Sequence, residues 1–148
     1  MKLSSHIIIS FSVGSALGFF ARSAYAGFLC FIAGTLIDVD HIIEYIVHYG
    51  FKDFSLKRVF LVCDQTSRQA GEDRFRILYL IFHSYELAII LWIIYFYVKS
   101  INFFAFVLGY SLHLFMDSVG NPIHPYFYFI TWRAANNFDS NKFFRRTL

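Results

Sequence analysis

Two apolar runs separated by only two residues constrain this chain more than any other feature. Residues 77–98 are almost wholly apolar, with His83-Ser84-Tyr85-Glu86 as the internal exception. Lys99 and Ser100 make a tight turn, and residues 101–117 return. A helix crossing the hydrocarbon of a bilayer needs about 20 predominantly apolar residues. Inside lipid the backbone must satisfy its own hydrogen bonds, which selects helices. The pattern therefore predicts a hairpin of two membrane helices. Two further apolar segments, 7–20 and 24–37, flank Arg22 and Ser23. Both are short for a full span, so tilt or partial penetration is expected.

Composition agrees. Hydrophobic residues make up 57% of the 148 and charged residues 16%, with a mean hydropathy of +0.52. A soluble domain carries about 45–50% apolar and about 25% charged residues. Twenty Phe and ten Tyr suit lipid-facing and interfacial surfaces. The expected fold is all-α: an integral membrane helical bundle of about four membrane helices plus an interfacial amphipathic helix. No linker or repeat divides the chain, so residues 1–148 are expected to form a single membrane-embedded domain. The net charge of +3 does not argue for nucleic acid. Cys30 and Cys63 make no disulfide framework, and no CxxC offers a thiolate zinc site. Lys2, the first apolar run and Ala24-Tyr25-Ala26 also resemble a cleavable signal peptide. Arg22 beside that site and the apolar run from Gly27 argue against cleavage.

Residues 38–50 carry Asp38, Asp40, His41, Glu44 and His48 at helical spacing, with Gly50 as a stop. Residues 51–76 mix aromatic and basic side chains, and their first half reads as the amphipathic helix lying on the membrane, with Gln65 to Asp73 a polar loop. A solvated basic loop is the plainer alternative. With four passes, eleven of the thirteen Lys and Arg fall on one side, leaving Arg22 and Lys99 on the other. The positive-inside rule puts the eleven in the cytoplasm.

The chemistry concentrates in Gly109 to Pro125. His113 and Asp117 stand one helical turn apart on the face that also holds Gly109. His124 follows a Gly-Asn-Pro turn. An imidazole and a carboxylate at this spacing suit a zinc-class metal. A polar pair joined by a hydrogen bond inside a helix bundle is the plain alternative. His6, Asp38, Asp40, His41, His83, His113, Asp117 and His124 are the candidate ligands, expected to converge at the cytoplasmic membrane face. That exceeds the ligands of one zinc and suits one or two divalent ions, with Asp38 or Asp117 bridging. Ionisable groups at such depth are usually paired, metal-bound or in wet cavities. Glu86, read as one turn beyond His83 on a helix, is the candidate general base, ligand or orienter. Asp40 is the second candidate catalytic carboxylate. Each has a plainer role: Asp38 and Asp40 as helix caps, His6 as an ordinary polar residue, Glu86 as a neutral acid bonded to a Ser or Tyr. His48 is expected to have no ligand role. No Ser-His-Asp, GxSxG, P-loop or GxGxxG pattern is present.

Taken together the motifs resemble the bacterial membrane-bound metal-dependent hydrolase family of small inner-membrane proteins. Ser-Ser-His6 resembles its early Thr-His. Gly34-Thr-Leu-Ile-Asp38-Val-Asp40-His41 resembles its Gly-x-x-x-Pro-Asp-x-Asp-His. Phe82-His83-Ser84 resembles the end of its His-Arg-x-x-Thr-His-Ser, and Gly109 to Asp117 its Gly-x-x-x-His-x-x-x-Asp. The chain departs at Ile37, in place of Pro, and over Ile77 to Phe82, which lacks the His-Arg. His113-x-x-x-Asp117 with Pro122-x-His124 is also distantly similar to the zinc-dependent phospholipase C and single-strand nuclease superfamily, although its amino-terminal Trp is absent. These resemblances imply an all-helical site and metal-dependent hydrolysis of a phosphoester. A site at headgroup depth suits a lipid or amphiphilic substrate. The rival readings are a metal-binding or metal-transporting membrane protein, and a scaffold whose polar cluster only joins helices.

Overall fold

The computed structural model describes residues 3–51, 54–55, 57–59, 77–121 and 123–143. Among them the structure is helical, with an isolated antiparallel bridge between Ile77 and Asp139 and no strand. Two helical stretches, Ala24–Tyr49 and Ile101–Gly120, are long and apolar enough to cross a membrane. The interfacial helix expected in the first half of residues 51–76 falls mostly outside the described residues, of which 57–59 are helical. Cys63 and Pro122 lie outside them too.

The chain divides into two compact units, each built from two separate stretches: Met1–Ile37 with His83–Asn121, and Asp38–Phe82 with Pro122–Leu148. The first unit contains α1 (Leu3–Phe20), α2 (Ala24–Leu36), α4 (Tyr85–Val98) and α5 (Ile101–Gly120). Small residues set its packing. An added Cβ on Gly14 would meet the carbonyl oxygen of Gly27 at 2.6 Å, and one on Gly27 that of Gly14 at 2.5 Å. A Cβ on Gly109 would run into the backbone of Cys30. Lipid tails are as apolar as Leu, so membrane helices associate by close packing and polar contacts rather than by a hydrophobic drive, and small residues permit it.

Register follows from these contacts. Ala26 and Ala105 share a buried cluster with Cys30, Gly109 abuts Cys30, and the Gly34 carbonyl meets His113. The numbers rise together in steps of four, so α2 and α5 run parallel. Gly14 against Gly27 and Ser10 against Gly34 make α1 antiparallel to α2. The α1–α2 turn and the α4–α5 turn therefore share one end of this unit. Outward, α1 and α4 expose Ile8, Phe11, Phe19, Ile90, Ile93 and Phe96. An apolar exterior of this kind suits a lipid solvent.

The apolar run 77–98 is not helical throughout. Helix α4 begins only at Tyr85, with Ser84 as N-cap accepting from the Leu87 amide at 3.2 Å. The second unit explains the delay. It contains α3 (Val39–Tyr49), ended by Gly50 at φ +70°, and α6 (Ile130–Ala135). The Glu44 carboxylate accepts the amides of Tyr79 and Leu80 at 3.0 and 3.3 Å, and Asp40 accepts that of Phe82 at 2.7 Å. Arg133, buried and over the Phe127 ring, donates to the carbonyls of Tyr79 and Leu80. Charged side chains thus satisfy both sides of this backbone, and it needs no helix to do so.

Candidate metal centre

Within the first unit, one carboxylate meets three imidazoles. Asp117, in the last turn of α5, stands 3.0 Å from Nε2 of His6, 3.4 Å from that of His113 and 3.6 Å from that of His83. All four side chains are buried, at 1% exposure for His6, 2% for His83, 0% for His113 and 4% for Asp117. The rings of His6 and His113 stack at 4.1 Å, and His83 meets His113 edge-on at 5.3 Å. One ligand atom each from His83, His113 and Asp117 lie within 4.8 Å of one another.

The three distances differ in kind. An N–H···O hydrogen bond spans about 2.7–3.2 Å. His6 to Asp117 Oδ1 fits that range. Ligand bonds of about 2.0–2.2 Å place two ligand atoms about 3.3–3.6 Å apart around a tetrahedral ion. His113 and His83, both facing Asp117 Oδ2, have that spacing.

The tautomer of His113 agrees. Its Nδ1 lies 3.0 Å from the carbonyl oxygen of Gly34. A carbonyl only accepts, so Nδ1 carries the proton, and Nε2 is the ring nitrogen that faces Asp117. A carbonyl or carboxylate on the distal nitrogen is the usual way a ligand histidine is oriented. The same Gly34 oxygen accepts from Ser10 Oγ at 3.0 Å, which ties α1, α2 and α5 together one turn from the cluster. His6 Nδ1 is buried and, among the described residues, has no hydrogen-bond partner. Ser84, whose carbonyl accepts from Tyr110 Oη at 3.2 Å, fixes the backbone next to His83. The group can hold a metal ion.

Of the remaining predicted residues, Glu86 belongs to the first unit, and Asp38, Asp40, His41 and His124 belong to the second. Glu86 lies on the first turn of α4, half-buried, and accepts from Ser84 Oγ at 2.8 Å. His83 precedes that helix, so the two do not share a helical face as the continuous-helix reading expected. Asp38 opens the second unit at the N-cap position of α3 with no side-chain cap bond, and its carboxylate is 3.8 Å from His41. Asp40 is buried on α3 and holds the Phe82 amide. His124 belongs to the second unit, where it stacks on Trp132 at 4.6 Å and accepts from the Tyr126 amide at 3.3 Å. Ser10 and Arg133 are structural partners that the sequence reading did not single out, and Gly34 and Glu44, which it named, act through a carbonyl and through backbone amides. No protein-family model, curated protein or solved structure matches this chain.

Proposed function

We propose that this chain is a membrane-bound metal-dependent hydrolase acting on a phosphoester of a lipid or amphiphile. The carrying observation is the meeting of Asp117 with His83 and His113 at ligand spacing, with His6 hydrogen-bonded to the other oxygen. The donor set of imidazoles and a carboxylate matches zinc better than magnesium or calcium, which favour oxygen. His83, His113 and Asp117 would hold the ion. Asp38, from the Asp38-Val-Asp40-His41 motif, is the proposed fourth ligand. A divalent ion there supplies Lewis acidity toward a phosphoryl oxygen and an acidified water. His6 steers Asp117 through Oδ1, and Gly34 keeps the His113 lone pair aimed inward. Glu86 is the proton-accepting carboxylate in this reading. The bilayer supplies the substrate, and the predicted orientation puts the site at the cytoplasmic face of the inner membrane.

The near-complete burial of the four side chains also favours a second reading, a metal-holding protein without turnover, since catalytic sites keep one position open. One experiment separates them. Detergent-purified protein is analysed for metal beside a His113→Ala variant, and turnover of a generic phosphodiester is followed with and without chelator. Metal lost with His113 and chelator-sensitive turnover support the hydrolase. Metal without turnover supports the second reading, and no metal in the wild type defeats both.

A further inference from the structure

At the end of the first unit away from the histidines, a groove of about 580 Å³ runs along the α1–α2 hairpin. Its volume lies within the range of about 300–1,000 Å³ typical of small-molecule sites. Gly14, Gly18 and Gly27 line it together with Phe11 and Phe28, and Arg22 lines it at the hairpin turn. From Phe11 to Arg22 it follows α1 for roughly 16 Å at about 1.5 Å per residue. Arg22 is exposed and, among the described residues, makes no ion pair.

We propose that this groove binds one anionic phospholipid, an acyl chain lying along its apolar lining and the phosphate on Arg22. The proposal rests on the bilayer part of the functional reading and not on the metal or the hydrolysis. Two observations choose this occupant. First, the walls are apolar and the charged group among them is a guanidinium, which matches phosphate in a bidentate fork. Second, the glycines cannot receive a helix from another molecule. They are already used within the chain, where a Cβ on Gly14 or Gly27 would strike the opposing backbone at 2.6 or 2.5 Å. A second copy would also have to pack against the exposed Phe11 and Phe28.

The test uses full-length protein from the membrane fraction, purified in detergent, delipidated and titrated separately with phosphatidylglycerol and phosphatidylcholine. Native mass spectrometry counts the bound lipids. The expected result is one retained phosphatidylglycerol, held more tightly than phosphatidylcholine. Arg22→Gln should weaken phosphatidylglycerol about fivefold, the scale of one basic residue at an anionic membrane surface, and leave phosphatidylcholine unchanged. Ser15→Phe, which fills the groove from an exposed position on α1, should lower both, whereas Ile90→Phe on the outer face of α4 should lower neither. Equal binding of the two lipids by the wild type, or phosphatidylglycerol held equally by the Arg22→Gln protein, overturns the proposal while the membrane reading stands. A dimer dispersed by Ser15→Phe would make a second copy the occupant and overturn it too. A chain that fractionates as soluble protein would remove both this proposal and the bilayer reading.

Discussion

Ser10 and His113 donate to the same atom, the carbonyl oxygen of Gly34, each at 3.0 Å. The shared acceptor joins α1 and α5 through α2, one turn from Asp117. It fixes the ring orientation of His113 from the side away from the carboxylate. A helical carbonyl with two lone pairs accepts these bonds while remaining part of α2. The candidate centre is therefore part of the helix packing and not an addition to it.

Losing a ligand should remove the metal. His113→Ala, His83→Ala and Asp117→Asn proteins are expected to purify with little or no bound ion, while His48→Ala and His124→Ala retain wild-type content. His48 instead approaches its own helix at the Glu44 carbonyl, and His124 packs on Trp132. Elemental analysis per mole of protein decides it. Equal metal in wild type and the Asp117→Asn protein would falsify the ligand assignment.

His6 should behave differently from those three. Its 3.0 Å approach to Asp117 Oδ1 is a hydrogen bond that orients the carboxylate. Removing such an outer partner typically costs about 10–100-fold in metal affinity or activity. His6→Ala should therefore bind metal more weakly without abolishing it, as read by chelator competition. Complete loss, equal to that of His113→Ala, would instead make His6 a ligand.

Gly109→Ala should destabilise strongly, because the added methyl meets the Cys30 backbone, which cannot move aside without separating α2 from α5. Overpacking typically costs about 1–3 kcal/mol and sometimes more. A Cβ at Gly50 meets nothing within 4 Å, so Gly50→Ala bears only the strain of φ +70°. Thermal unfolding in detergent should rank Gly109→Ala well below Gly50→Ala, and the opposite order would contradict the packing.

The helical class and the His113–Asp117 pair were legible in the sequence because both rest on local spacing. A separation of four residues fixes two side chains on one face whatever surrounds them. The approach of His6 and His83 was legible only as a matter of depth. What stayed hidden involves the backbone. Gly34 enters through its carbonyl, which no side-chain pattern announces. Residues 77–82 read as helix by hydropathy, yet Glu44, some 35 residues upstream, and Arg133 bind that backbone first. Such long-range competition is invisible to any local window. Four apolar segments were expected to span the membrane. Two helical stretches meet the length and hydropathy of a span, and α1 and α4 are shorter apolar helices.

Glu86 carries the sharpest test of turnover. Its carboxylate lies in the first turn of α4, where it accepts from Ser84 Oγ at 2.8 Å, and Ser84 directly follows His83. A helix N-terminus favours negative charge, so an ionised Glu86 is at home there even without a metal. That placement offers a plain role, helix capping, beside the proposed proton-accepting one. Glu86→Gln tells them apart because it keeps the size and an acceptor oxygen while removing the charge. If Glu86 takes a proton during hydrolysis, the Gln variant should retain its metal and melt near the wild type but lose about 10²–10⁴-fold in kcat, the usual contribution of general acid–base catalysis. If it only caps the helix, turnover should stay within a few-fold and the melting temperature should fall slightly. Measuring kcat, metal content and thermal unfolding on one preparation gives both answers. Unchanged turnover with full metal content would remove Glu86 from the reaction and leave the metal centre standing.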